Sequence, residues 1–323
     1  MRRRDFIAAL LGGAAAGRSL DVLAQSEKMP RIGVLVAQSV PHPFPDAFRA
    51  SMQQLGYVEG RNIAIDWRYG DGLYDRAVER ANELVKLGVD VIAAHHTPAV
   101  KASMSVTKTI PIVMAPAGAP LQTGMVASLA RPGGNVTGLS AMEAELGGKR
   151  IALLRDVIPD LKSVAVLGSR SDPFTVPYVK DAQAGATQAG IALHPVLIDG
   201  LNDLESAFAS MSAAGAQAVM IQPIFGPHDV PITTLARKHR IAIMSTYRAT
   251  TLAGGVMSYS AAHTALFRRS ATFVDKILKG AKPGELPVEQ PTQFELMVNL
   301  KTAKELGLAI SEAFLLNVDE VIE

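Results

Sequence analysis

Residues 90–100 read DVIAAHHTPAV: an apolar run, the adjacent pair His95-His96, then Thr97-Pro98. Imidazoles ligate metals and move protons, and either job needs a partner close in space. Neighbouring residues of an extended chain point to opposite faces, so His95 and His96 do not easily share one ion. No H-E-x-x-H motif accompanies them, and His42, His194, His228, His239 and His263 are scattered, so no metal site is expected. Thr97-Pro98 is more informative. Thr is a good N-cap and Pro suits the first helical turn. A helix starting there would turn free backbone N–H groups toward an anion such as a carboxylate.

Other turns carry comparable chemistry. Ser39 and Phe44 follow the first apolar run, and APAGAP occupies 115–120. Further on come SRSDPF (169–174), QPIFGP (222–227) and TYR (246–248). Together they suggest a pocket with apolar walls and a few polar anchors. Phe174, Phe225, Tyr247 and Tyr259 are the expected walls. Ser39, Asp172 and Gln222 are the expected anchors, with Thr97 and Pro98 at the helix start and Phe44 beside Ser39.

Parallel β/α units must position these turns. RIGVLVA (31–37) reads as a buried strand, and Phe44, Phe48, Met52 and Leu55 recur on one helical face before Gly56. Strand patterns at 62–69, 89–94 and 110–115 alternate with helical ones, the signature of a parallel sheet covered on both faces. ARPGGNVTGLSAM (130–142) breaks the rhythm and reads as a crossing between lobes. A helix over about 145–158 then opens a second half, with strands at 163–168, 191–198, 216–222 and 241–246. Four strands are expected in each half. GGVMSY (254–259) predicts one more strand, and Phe267, Ala271, Val274 and Leu278 mark a helix ending at Gly280. The fold class is therefore α/β, two doubly wound parallel-sheet lobes joined by a three-strand hinge. The expected division is 30–140 plus 254–282 for lobe 1, and 141–250 plus 290–323 for lobe 2.

Several functions are excluded by missing motifs. No G-x-G-x-x-G follows the first strand, and neither G-x-x-x-x-G-K-[ST] nor G-x-S-x-G occurs. This argues against a dinucleotide dehydrogenase, a P-loop enzyme and an α/β-hydrolase, and no cofactor is expected. The chain contains no cysteine, so disulfides, thiolate metal sites and a Cys nucleophile are out.

The beginning of the chain reads as an export signal. MRRRDF precedes an apolar stretch over 7–17, too short to span a bilayer, and Val22-Leu23-Ala24 fits a cleavage site. Arg3-Arg4-Asp5-Phe6-Ile7 matches a twin-arginine pattern. Residues 1–24 are thus expected to leave after Ala24, and the periplasm is the expected location. They hold four of the 32 Lys and Arg and two of the 30 Asp and Glu, leaving 28 of each. A neutral chain without a basic block argues against nucleic acid as partner.

LGYVEGRNIAIDWRYGDG, SLARPGGNVTGLS, ATFVDKILKGAKPGELPVEQPTQFELMVNLKTAKELGL and the closing DEVIE resemble the ABC transporter substrate-binding family that includes the TrpX-type tryptophan-binding proteins. The resemblance runs from about Arg31 to Glu323. It implies a type I periplasmic-binding-protein fold with the ligand between two lobes. It also implies delivery of a small solute, as a monomer, to a membrane permease and its ATPase. Such proteins usually carry Asp-Pro in the loop after the fourth strand, where this chain has Ala119-Pro120. That departure puts an amino-acid ligand in question beside aromatic acids and other carboxylates. The expected function is non-catalytic solute binding by hinge closure. A periplasmic ligand-sensing subunit and a twin-arginine-exported two-lobed enzyme are the alternatives.

Overall fold

The computed structural model describes residues 29–39 and 44–323, so the signal segment and its cleavage site lie outside the described residues. The first lobe begins with β1 (Arg31–Val36), whose six residues serve two faces. Ile32, Val34 and Val36 point into one apolar cluster, while Leu35 points into another. A continuous apolar run is what a strand needs when helices cover both sides of its sheet.

The same division recurs in β3 (Val91–His95) and β4 (Ile112–Ala117). With β2 (Ala64–Tyr69) and β5 (Val136–Ser140) they form a five-stranded parallel sheet in the order β2-β1-β3-β4-β5. Helices α2 (Tyr74–Lys86) and α3 (Thr97–Val106) cover one face. Helix α1 (Phe44–Gln54) covers the other.

The second sheet comprises β6 (Ser163–Ser169), β7 (Ala192–Ile198), β8 (Ala218–Ile221), β9 (Ala242–Ser245), β10 (Met257–Ala261), β11 (Phe294–Asn299) and β12 (Glu320–Ile322). Their order is β12-β11-β10-β9-β8-β6-β7, parallel except where β11 runs against β10. Helices α4 (Gly147–Val157) and α5 (Thr175–Ala189) pack together on one face, where Val164 and Val166 of β6 join their cluster. Helices α6 (Leu204–Ala213) and α7 (Asp229–His239) pack against the opposite face, where Leu167 meets Phe208 and Ile232.

Two features differ from the sequence expectation. The stretch at 130–142 contains β5, so the first sheet has five strands. Its turn-rich composition hid a short edge strand in which Gly138, at φ 122°, lies against β4. A Cβ at Gly138 would stand 2.5 Å from the Met114 carbonyl oxygen, so only glycine fits.

The strand expected at 254–259 lies at 257–261 and belongs to the second sheet, not to the first lobe. The short helix α8 (Arg248–Leu252) precedes that strand, and the helix after it, α9 (His263–Leu278), does pack on the first lobe, against α1 and β4. Residues 286–289 then run along β5, with Glu289 donating its N–H to the Gly138 carbonyl (2.9 Å). The chain thus passes between the sheets three times: after β5, after β10 and before β11. Among the described residues, no helix is long and apolar enough to cross a membrane.

Candidate functional site

The carboxyl ends of both parallel sheets face one cleft, the position at which open α/β sheets present their loops to ligands. The first lobe supplies Gln38 after β1, the β3–α3 turn, the loop after β4 and the start of α9. The second supplies the loops after β6, β8 and β9. These loops touch. Gln38 Nε2 donates to the Pro223 carbonyl (2.7 Å), and the Tyr247 hydroxyl lies 2.7 Å from His96 Nε2. Gln122 Nε2 donates to Asp181 (3.2 Å) farther along the rim. The lobes are closed on one another.

Two spaces lie between them among the described residues. The larger, about 480 Å³, is lined by Gln38, Asp229, Tyr247, Arg248, His263 and Glu295, with Gly226, Thr246 and Ser260 between them. That volume lies within the ~300–1,000 Å³ typical of small-molecule sites. The smaller, about 10 Å³, is bounded by His95, His96, Thr97, Gly118, Glu143 and Phe174, and His263 borders both.

The histidine pair divides its labour. His95 is fully buried, its ring 5.2 Å from that of Phe44 and its Nδ1 3.3 Å from the Pro116 carbonyl oxygen. His96 is the N-cap of α3, at φ 68° and ψ 155°. That conformation is nearly glycine-only, and it aims the imidazole across the cleft at Tyr247. Burial and the nearby Glu143 carboxylate push the Tyr247 phenol well above its usual range, so it keeps its proton.

Thr97 is therefore not the cap but the first helical residue. Its hydroxyl donates to the Gly118 carbonyl (2.9 Å) and accepts from the Gly118 N–H (3.2 Å). It ties the β3–α3 turn to the loop after β4, and Pro98 is buried behind it. The expected carboxylate contact is already committed within the protein.

Asp172 and Gln222 are committed too. Gln222 Oε1 accepts from the Ser169 N–H and the Thr175 hydroxyl, and its Nε2 donates to Asp172 Oδ2 (2.8 Å). Asp172 Oδ1 accepts from the Phe174 N–H (2.8 Å). Together they shape the loop after β6 and hold Phe174 against Gly118.

Burial pushes the Asp172 carboxyl up to about 7. The folded state therefore binds a proton that the unfolded chain, near 3.8, releases earlier. Its stabilising contribution is full below about pH 4 and lost as pH rises through 7. Melting temperature should fall more steeply between pH 5 and 8 in the parent protein than in Asp172→Asn; parallel slopes would refute this.

Phe44 and Phe225 are not cleft walls. Phe44 is buried in the first lobe's core at the start of α1, and Phe225 is buried in an apolar cluster that draws residues from both lobes; neither lines the two spaces. Tyr259 faces away from the larger cavity and stacks on Phe294 at 6.1 Å. Its neighbour Ser260 lines the cavity instead, as strand alternation requires. Ser39 is half-buried beside Gln38 and is not among the lining residues. Of the expected residues, Phe174, Thr97 and Tyr247 do border the cleft spaces.

Unforeseen from the sequence was a buried charge cluster beside two of the crossings. Arg150, fully buried, pairs with Glu143 and donates to the carbonyls of Glu143 (2.7 Å) and Tyr259 (2.9 Å). His263 Nε2 lies 3.1 Å from Glu143 Oε1. Burial alone would raise the Glu143 carboxyl, but Arg150 and His263 outweigh it and hold it below the usual range. Glu143 follows the first crossing, Tyr259 precedes the second and His263 follows it, so the cluster fastens the lobes at their pivot.

Residues 33–322 match the family described as ABC transporter substrate binding protein. The tyrosine-binding protein of Clostridioides difficile is 25% identical over 294 residues, 88% of this chain and 82% of the relative. An ABC domain from Streptococcus pneumoniae in complex with L-Trp is 26% identical, with a TM-score of 0.83 over 91% of this chain and 100% of that one. A conserved domain protein from Vibrio cholerae is also 26% identical, with a TM-score of 0.85 over the same shares. Two parallel-sheet lobes, three crossings and a cleft at the strand ends agree with these matches: the chain belongs to the ABC transporter substrate-binding protein family and has its type I periplasmic-binding fold.

Proposed function

We propose that this chain is an exported, non-catalytic solute receptor that holds a small organic molecule in the 480 Å³ cavity and presents it to a membrane permease and its ATPase. The carrying observation is that this cavity is walled by both lobes. Gln38 and His263 come from the first, and Asp229, Tyr247 and Arg248 from the second. A solute there touches both walls only when they are closed, so binding shifts the population toward the closed form that a permease would recognise.

The twin-arginine pattern at 3–7 supports export, and the balanced charge after residue 24 supports a small-molecule rather than a nucleic-acid partner. Relatives named for tyrosine and crystallised with L-Trp support amino acids and aromatic acids as first candidates. The rings of Tyr247 and His263, 5.2 Å apart, offer a face to such a solute.

The test is a thermal-shift screen of the chain from Gln25 onward against amino acids, aromatic acids and other carboxylates. A solute at a hundred times its Kd should add about 2.7 kcal/mol of stability. No shift across the panel, with native mass spectrometry finding no co-purified solute, would reject the reading.

A further inference from the structure

Much of the polar capacity left unused around the 480 Å³ cavity accepts, and the unpartnered Thr246 hydroxyl can accept or donate. Gln38 is 1% exposed and lines the cavity. Its Nε2 is engaged by the Pro223 carbonyl, which can only accept and so fixes the amide's orientation. The remaining atom, Oε1, is buried without a hydrogen-bond partner. An acceptor is thus left over.

His263 also lines the cavity, with its Nε2 facing the Glu143 carboxylate. Asp229 adds a second acceptor. Its Oδ1 accepts from the Thr250 hydroxyl (2.5 Å), and among the described residues no cation is paired with it. Glu295 adds another carboxylate on the same wall.

The cationic donor is engaged elsewhere. Among the described residues Arg248 is the one lining guanidinium, and both its Nε and Nη2 are bound to Glu320 in a two-pronged pair. No Lys or other Arg lines the cavity among the described residues. A cavity with surplus acceptors and carboxylates, and its guanidinium turned away, complements a donor-rich positive group.

We infer that the solute bears a cationic nitrogen, an ammonium or guanidinium, held by Asp229 with Gln38 Oε1 beside it. This rests on the solute-receptor reading and narrows it: a simple carboxylate such as benzoate does not fit. Burial pushes the Asp229 carboxyl up to about 6, still low enough for it to be ionised at neutral pH. A cationic solute would supply the counter-charge that Asp229 lacks among the described residues.

The experiment titrates the full chain from Gln25 by calorimetry with probes of matched skeleton: tyrosine, tyramine, agmatine, 3-(4-hydroxyphenyl)propanoate and benzoate, with a neutral sugar as a further control. The expected result is binding of at least one nitrogen-bearing probe and none of its deaminated counterpart. Asp229→Asn, nearly isosteric and still able to accept from Thr250, should weaken that probe at least tenfold at an unchanged melting temperature. Glu295→Gln, at an exposed position, is the second variant and should weaken it less. Should Asp229→Asn lower the melting temperature, Glu295→Gln alone decides, and unchanged affinity then counts against the inference. Binding of the carboxylates or sugar alone, or full affinity in Asp229→Asn, overturns the inference and leaves the solute-receptor reading standing. Silence toward every probe overturns this inference, and only silence in the wider screen as well removes the receptor reading.

Discussion

Glu143→Ala should cost the protein about 3–5 kcal/mol, the usual consequence of stripping the partner from a buried charge. Arg150 has no exposed surface, so its guanidinium cannot turn to water when the carboxylate goes. Two carbonyls, of Glu143 and Tyr259, would still accept from it, but neither carries a compensating charge. His263 would lose its Nε2 acceptor in the same step. Against a total stability of roughly 5–15 kcal/mol for a typical protein, such a loss is large.

Urea titration should show a lower midpoint at an unchanged slope. Glu143→Gln keeps an acceptor for Arg150 and should cost less. Replacing both partners by apolar residues, Glu143→Leu with Arg150→Met, should recover most of the loss, because no unpaired charge remains. A Glu143→Ala variant within 1 kcal/mol of the parent would show that the cluster at the pivot is stabilised by something other than this pair.

The strand-and-helix alternation was legible because buried parallel strands need unbroken apolar runs such as Ile32–Val36, and covering helices need one apolar face. Its failures were non-local. Nothing in GGVMSY tells whether it pairs with the first sheet or the second, since that choice depends on β9 lying beside it. The edge strand β5 was hidden by Gly138, whose lack of a side chain is what lets it lie against Met114.

Among the candidate site residues, the loops were found but the roles inside them were exchanged. Phe44 and Phe225 follow strands that end at the cleft, yet Phe44 is turned into the first lobe's core and Phe225 into an apolar cluster that spans both lobes. Tyr259 missed the cavity by one position of strand alternation. Thr97 and Gln222 carry good ligand chemistry, but Gly118, Ser169, Thr175 and Asp172 use it. Conversely, Gln38, Asp229 and His263 carry no local motif. Their significance arises only when segments more than 180 residues apart, such as Gln38 and Pro223, come together.

Ala119 belongs to the same account. It is 1% exposed and packs in one cluster with Phe174 from the opposite lobe. An aspartate there would put a carboxylate into an apolar contact between lobes, at the cost of burying an unpaired charge. The alanine therefore removes a polar anchor from the loop after β4 and replaces it with a closure contact. In this chain the charged end of the cavity lies instead at Asp229 and Glu295.

That closure contact is tightest at Gly118, and Gly118→Ala is the variant expected to weaken solute binding most without unfolding either lobe. A Cβ at Gly118 would stand 2.5 Å from Phe174 Cε2 and 2.7 Å from Cζ. The Phe174 ring is itself buried, against Tyr178 at 5.5 Å, so it cannot simply swing aside. Gly118 belongs to the first lobe and Phe174 to the second, so the added methyl meets the ring only when the cleft shuts.

Overpacking of this kind costs about 1–3 kcal/mol. Charged to the closed state alone, it would weaken apparent affinity roughly 5- to 150-fold. Calorimetric titration should show that loss, and X-ray scattering of the unliganded variant should show a larger radius of gyration than the parent. Phe174→Ala opens the space the methyl needs, so in that background Gly118→Ala should have little further effect on affinity. An additive double mutant would mean that the two residues do not meet when the solute binds. The closed arrangement of Gln38, His96 and Tyr247 would then not be the one that holds it.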